Sequence, residues 1–513
     1  MAALCLLTAA TMAQETPDLD MFKKIRNEEM TNSKVMEIAY YLTDVSGPRL
    51  TISPGYTRAS NWAKSKLTEW GLSNVALEPW GEFGKGWELK KSYIAMTAPY
   101  YQPMIAYPKA WTLGTDGLKS GEVMLVDAKD SADYVARFKG KVAGKIIITP
   151  LAQDLNKLDS TADGSRYSDE ELKKIANPAP DTGRRGNNPE FAARMQALRF
   201  RNKLKELAQA DGAIAIISAS TRGKHGTLFV QGGGPYRVNT APSMPDISMG
   251  GEDYLRIQRL VKGGVPVKLD MDIQTQFTQD DTKGYNVVGE IPGTDKKLKD
   301  EIVMVGAHLD SWHGATGATD NAAGSAVMLE VVRLLKTMGV KPKRTIRIAL
   351  WNGEEQGLFG SSGYVKNHFA DPATMELKPE HAKLAAYFNL DNGSGKIRGI
   401  YLENNEAVRP IFEKWLEPFH DMGAATITKS HTGGTDHESF DAVGLPGFQF
   451  IQDELEYDTR THHSNMDTYD RLLPEDLKQA ATIIAAFVYQ AAQRDDKLPR
   501  KELPKPRPAR APF

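Results

Sequence analysis

The sequence predicts an α/β fold: a mixed, largely parallel sheet flanked by helices, interrupted by an inserted β-rich module. Three observations predict it. From residue 285 onward, short apolar runs alternate with helical stretches, the pattern of crossover-connected parallel strands. Between 113 and 278 the texture shifts to short β-rich runs such as GEVMLVD (121–127) and GKIIITP (144–150). The chain has 513 residues, of which 41% are hydrophobic and 25% charged, an ordinary globular composition long enough for more than one structural unit.

Composition also excludes function classes. Lys and Arg number 64 against 65 Asp and Glu, a net charge of −1, without the basic excess of a nucleic-acid binder. The single cysteine, Cys5, rules out an internal disulfide or a cysteine-based zinc finger. Any metal site must draw on His, Asp and Glu. Cys5 lies in the apolar run 2–13, which resembles a secretory signal peptide with a cut after Ala13, although the usual basic start is missing. That reading places the mature protein in the periplasm or outside the cell. The run is too short to cross a bilayer, which needs ~20 residues.

The elements follow in order. A polar helical stretch covers 18–43 and ends at Ser46-Gly47-Pro48. In the next helix, 56–72, Ala59, Trp62, Ala63, Leu67 and Trp70 share one face. Residues 73–104 read as strands and turns. Within the module, Ser168 to Glu171 forms a capping box, 212–220 is a buried strand and 265–277 alternates as an exposed one. Residues 14–112 are expected to be the N-terminal part of the domain that resumes at 279–497. The strands of that domain are 285–291, 301–307, 345–351, 385–391 and 445–451. Its helices are 322–338, with Val327, Val331, Leu334, Leu335 and Met338 as the buried stripe, and 475–494. The proline-rich, basic tail 498–513 is expected to be a solvated extension.

The chemistry-bearing residues gather where these strands end, the place where open α/β sheets bind ligands. His308 and Asp310 follow one strand, with Asp320 at the start of the next helix. Glu354 and Glu355 follow the third strand, Asp391 ends the fourth, and His462-His463 lie in the loop after the fifth. Each is weak alone, since an acid before a helix is usually a cap. Together they can make two zinc sites that share one carboxylate. Two Zn²⁺ carry +4 and three carboxylates −3, so one bridging hydroxide completes neutrality. Glu354 is left beside the metals, as a general base requires.

These residues resemble the co-catalytic di-zinc exopeptidases that include bacterial leucyl aminopeptidase, glutamate carboxypeptidase and carboxypeptidase Q. The likeness is carried by HLDSWHGATGATDNAAG (308–324), KPKRTIRIALWNGEEQGLFGS (341–361), NLDNGSG (389–395), GGTDHESF (433–440) and HHSNMDTYD (462–470). It is nearest to the carboxypeptidase Q branch, and 113–278 looks like a protease-associated domain. The resemblance implies that His308 and Asp391 bind one zinc, Glu355 and His463 the other, and that Asp320 bridges them. The family's ligand His is followed by Ser or Thr, two residues, an acid and Thr; His463 through Thr468 fits that spacing and His462 does not. Asp310 would accept the other ring N–H of His308, and the Asp320–Asn321 peptide bond would be cis. His462, Asp436 and His437 would line the substrate side. The implied activity is hydrolysis of terminal peptide bonds in peptides or dipeptides, through a metal-bridging hydroxide with Glu354 as base. Aminopeptidase and dipeptidase or carboxypeptidase action share this core, and the sequence leaves the choice open, as it does a homodimer. The rivals, an inactive binding protein on this scaffold and a single-zinc aminoacyl cyclase, fit the complete ligand set less well.

Overall fold

In a computed structural model, residues 15–151, 162–179 and 189–507 are described. The expected leader at 1–13 lies outside these residues, as does the end of the tail. The chain builds two eight-stranded sheets. Among the described residues no helix is long and apolar enough to cross a membrane.

The first sheet holds the site. Its strands run in the order Ser73–Glu82, Lys283–Ile291, Thr345–Trp351, Ile302–His308, Leu384–Asn389, Gly447–Gln452, Ile397–Tyr401 and Thr426–Thr428. The middle four are parallel to one another and the outer pairings are mixed. Ile302–His308 has a parallel neighbour on each side and is buried along its whole length, so IVMVGAH carries no polar alternation. Helices cover both faces. Leu19–Asn32, Ala323–Thr337 and Pro474–Gln493 pack one core with Val303, Ile346 and Phe388. On the other face, Tyr364 and Val365 of helix Phe359–His368 pack with Met304, Trp351 and Phe440.

The helix expected at 322–338 spans Ala323–Thr337, and residues 323–335 are buried all round rather than along one stripe. It packs against the sheet, the helix Pro474–Gln493 and the helix Val35–Tyr40. The helix expected over 18–43 is broken in two at Ser33 and closes in a wide turn at Tyr41–Val45.

The second sheet takes in more chain than the module expected at 113–278. Strand Gly86–Ala98 pairs antiparallel with Lys268–Thr278 along its length, and Gln102–Pro103 and Ala106–Pro108 join the two edges. Gly86–Ala98, Gln102–Pro103 and Ala106–Pro108 fall inside the span 14–112 assigned to the other domain. Their partners lie far along the chain, so local texture does not reveal the pairing. The sheet has its own core, with Met96, Ile146, Ile217, Met249 and Leu269.

The tail also departs from expectation. Through residue 507 it lies against the domain of the first sheet rather than in solvent. Leu498 is buried, and Asn405 donates to the Pro499 carbonyl at 2.7 Å. Arg500 donates to the carbonyls of His381 and Leu384 at 2.8 and 2.6 Å. Lys501 bonds the Glu403 carbonyl and pairs with Asp441. Its basic groups satisfy carbonyls and a carboxylate at the sheet's rim, which a proline-rich strip can reach without secondary structure.

His368 ends its helix between two carboxylates, Glu78 at 2.5 Å and Glu380 at 3.3 Å. Burial alone would lower its pKa, but hydrogen bonds to Glu380 and Glu78 outweigh that and lift it to about 9. His368 in turn holds Glu380 down at about 2. A raised His pKa means stability fully present below about 6.5 and lost as pH rises through about 9. The depressed Glu380 adds stability above about 4.5 that is lost as pH falls toward about 2. We therefore expect His368→Gln to lower Tm most between those two windows. Thermal melts of both proteins across pH should show the gap closing by about pH 10; a gap that stays constant contradicts the assignment.

Candidate active site

Strand ends deliver the site. His308 is the last residue of Ile302–His308 and sits opposite Trp351, whose strand leads into Glu354 and Glu355. Asp391 follows Leu384–Asn389, and Asp320 stands just before helix Ala323–Thr337. His463 arrives from a loop after Gly447–Gln452 with a left-handed backbone, φ 63°.

The distances divide these groups into two sets. His308 Nε2 lies 3.2 Å from Asp320 Oδ1 and 3.2 Å from Asp391 Oδ1. His463 Nε2 lies 3.1 Å from Asp320 Oδ2 and 2.8 Å from Glu355 Oε2. Asp320 thus turns one oxygen to each set. The ligating atoms of His308, Asp320 and Asp391 fall within 4.8 Å of one another, and so do those of Asp320, His462 and His463. Glu354 Oε2 stands 3.8 Å from His308 Nε2.

Burial and charge set the protonation. Burial acts to lower His308, but the Asp391 and Glu354 charges hold it well above the usual imidazole range. Burial lifts Glu354 well above an ordinary carboxylate, with Asp391, Asp436 and Glu355 adding repulsion. Glu355 is raised to about 7, first by burial and then by Asp320. Asp320 goes the other way: hydrogen bonds to His308 and His463 overcome its burial and hold it well below normal.

The scaffold behind these groups was only partly visible beforehand. Asp467 accepts the backbone N–H groups of Thr319 and Asp320, at 2.7 and 3.1 Å. Its only sequence signal was the spacing after His463. Asn321 donates to the Leu390 carbonyl and accepts from Gly324 N–H, both at 2.9 Å, which ties Asp320 to the strand that carries Asp391. A Cβ on Gly324 would fall 2.3 Å from the Leu390 carbonyl oxygen, so only glycine fits. The Asp320–Asn321 peptide bond is cis. Arg49 gave no sequence signal at all. It is fully buried and donates to the carbonyls of Leu309, Leu42, Thr316 and Gly317 at 2.5–2.9 Å.

Three expected placements change. The Asp310 carboxylate stands 3.8 Å from His308 Nδ1, which instead meets the Asp310 backbone carbonyl at 2.9 Å. The side chain turns away, accepting from Thr51 Oγ1 at 3.0 Å and from Glu354 and Glu355 N–H at 3.3 and 3.4 Å. Asp436 and His437 do not line the cleft; both are fully buried behind it. Burial and nearby carboxylates raise Asp436 to about 8, against the pull of His308. His437 donates to the Thr432 carbonyl at 3.1 Å, and Glu403 accepts from His431 at 2.5 Å and from Thr432 N–H. Those bonds fasten the loop whose residues 432–435 form the wall. The helix at His437 turns its first residues inward, a direction the string GGTDHESF does not disclose. His462 does line the cleft, stacked on Tyr457. His313 lies apart, its Nε2 donating to the Pro108 carbonyl.

Residues 286–488 match the model of peptidase family M28. The region 286–488 is of peptidase family M28. Carboxypeptidase Q of Homo sapiens is 26% identical over 461 residues, covering 90% of this chain and 85% of that protein. Aminopeptidase YwaD of Bacillus subtilis is 31% identical over 203 residues, 38% of this chain and 42% of that one. The crystal structure of a peptidase M28 precursor from Shewanella amazonensis superposes with a TM-score of 0.66 at 25% identity, covering 95% and 98% of the two chains. The matched region is that of a peptidase, and the relatives it resembles are a carboxypeptidase and an aminopeptidase.

Arg49 offers a test of the M28 scaffold. Arg49→Met would keep roughly the volume and remove one donor from each of four carbonyls. A buried group left without its partner costs about 1–3 kcal/mol, so the total loss should reach at least ~3 kcal/mol. Denaturant unfolding measures it; a loss under ~1 kcal/mol would show that the carbonyls find other donors.

Proposed function

We propose that the protein removes residues from the amino terminus of peptides. It would use two zinc ions held by His308, Asp391, Asp320, Glu355 and His463, with Glu354 as general base. The observation that carries this is Asp320, standing between two His-and-carboxylate sets with one oxygen toward each. The donors are imidazole nitrogens and carboxylate oxygens, which suit zinc. Glu355 Oε1 is buried without a hydrogen-bond donor, an atom that a cation would satisfy. Bound there, the zinc pair would polarise the scissile carbonyl and make water more acidic.

The chain's own residues do the rest. Glu354 lines the cleft beside both sets. Burial and neighbouring carboxylates make it a stronger base than an exposed Glu, with Asp391 and Asp436 as the main repulsive charges. It takes a proton from water and returns it to the leaving amine. Asp310 aims it by holding the N–H groups of both Glu354 and Glu355.

The cleft wall supports aminopeptidase action. The cleft measures about 580 Å³, and Glu438, Glu454 and Asp458 join the site carboxylates in lining it. No Lys or Arg is among its described lining residues. Such a wall favours a protonated α-amine and offers a free α-carboxylate little. The second reading is a carboxypeptidase Q-like dipeptidase, favoured by the likeness over 90% of the chain.

Dipeptides blocked at either end separate the two. We expect release of the first residue from C-amidated dipeptides and none from N-acetylated ones. Cleavage that requires a free carboxylate instead establishes the dipeptidase reading.

Glu354 and Glu355 should part company on substitution. Glu354→Gln should retain both zinc ions and lose ~10²–10⁴-fold in kcat, the usual range for a general base. Glu355→Gln should lose one zinc. Elemental analysis with kinetics checks both; metal lost at 354 and kept at 355 would reverse the roles.

A further inference from the structure

The chain between 453 and 465 carries His463 and much of the cleft wall, including Tyr457, Asp458 and His462. Residues of the inserted region hold it at both ends. At the near end, Ser165 and Leu455 exchange backbone hydrogen bonds at 3.2 and 2.9 Å. Arg166 pairs with Asp453 at 2.9 Å, and Asp163 with Arg460 at 2.5 Å. At the far end, Val230 N–H donates to the His463 carbonyl at 3.0 Å. Leu228 N–H donates to Asn465 Oδ1 at 2.7 Å, and Asn465 N–H returns a bond to the Leu228 carbonyl at 3.0 Å. Between these ties, the Gln231 side-chain amide lies 2.9 Å from His463 Nδ1.

We propose that Gln231 is a positioning residue for the zinc held by Glu355 and His463, so that the insert completes the metal centre. This rests on the reading of His463 as a zinc ligand. His463 Nε2 faces Glu355 and Asp320, so Nε2 must offer its lone pair to the metal and Nδ1 must carry the hydrogen. A half-turn of the Gln231 amide exchanges its nitrogen for its oxygen without moving the chain. The oxygen then accepts the Nδ1 hydrogen, fixing tautomer and ring orientation. Metal-bound histidines usually find this partner in a carboxylate, a backbone carbonyl or water. His308 follows that habit, through the Asp310 carbonyl. At His463 Nδ1, among the described residues, the hydrogen-bonding neighbour is instead the side chain of a residue 232 positions earlier in the chain. The left-handed backbone of His463 makes an outside hold more important, because a β-carbon-bearing residue relaxes from that region when released.

Gln231 is exposed, so its substitution leaves the cores untouched. The test uses the full chain as wild type, Gln231→Leu and Gln231→Glu, each stripped of metal and titrated with zinc against a chelating dye. Melts in excess zinc check that each variant is folded. Wild type should bind two zinc ions. Gln231→Leu should weaken one site ~10–100-fold, the usual effect of losing such a partner, and leave the other unchanged. Gln231→Glu, an acceptor of the same shape, should restore wild-type affinity or exceed it. A Leu variant that keeps both affinities overturns the proposal and leaves the function reading standing. So does a folded Glu variant as weak as the Leu variant, which would mean that the amide N–H matters instead. Wild-type protein that binds no zinc overturns the function reading and this proposal together.

Discussion

The structure depends on one electrostatic constraint. Asp310, Asp320, Asp391, Asp436 and Asp467 are buried at one end of a single sheet, with the half-buried Glu354 and Glu355 among them and two histidines between. Two like charges 4 Å apart repel by about 4 kcal/mol at an effective dielectric of ~20. A group of this size cannot stay fully ionised by itself. The carboxyls respond in opposite directions. Asp320, hydrogen-bonded to both imidazoles, is held low, while Glu354, Glu355, Asp436 and Asp467 are pushed up. Such a split marks a functional site more than a structural ion pair, and it is relieved when cations enter between the two sets.

Rigidity follows from the same constraint. Groups that repel spread apart unless their backbones are fixed, and each backbone here is held from outside its own element. Asp467 grips the N–H groups leading to Asp320, Asn321 joins that turn to Leu390, and Arg49 gathers four carbonyls under the loop after His308. The four central parallel strands supply a stiff base, since each is bonded on both sides. Residues 163–166 and 228–231 supply the remaining hold, on the segment 453–465.

What the sequence disclosed follows the reach of each interaction. Strand Thr345–Trp351 and helix Pro474–Gln493 were legible because apolar runs and helical periodicity are local signals. The pairing of Gly86–Ala98 with Lys268–Thr278 was not, because its hydrogen bonds join residues about 180 positions apart. The site shows the same division. Glu354, Asp391 and His463 stood out as acids and histidines after strands. Arg49 looked like any arginine beside a turn, and Asp310 was credited with a bond that its own backbone carbonyl makes. Residue type announces a ligand; it does not say which way a buried side chain turns.

Asp310 shows why that direction matters. Its two oxygens accept from consecutive N–H groups, those of Glu354 and Glu355. One carboxylate therefore pins a two-residue turn. Consecutive side chains in such a turn diverge, so one glutamate goes to each half of the site. Glu355 reaches His463 at 2.8 Å, and Glu354 stands on the cleft wall 3.8 Å from His308. Two identical side chains thereby acquire different environments, one closed against an imidazole and one open to substrate. A base must meet water and a ligand must not be displaced by it. The difference between them lies in the backbone that Asp310 holds, not in the glutamates' chemistry.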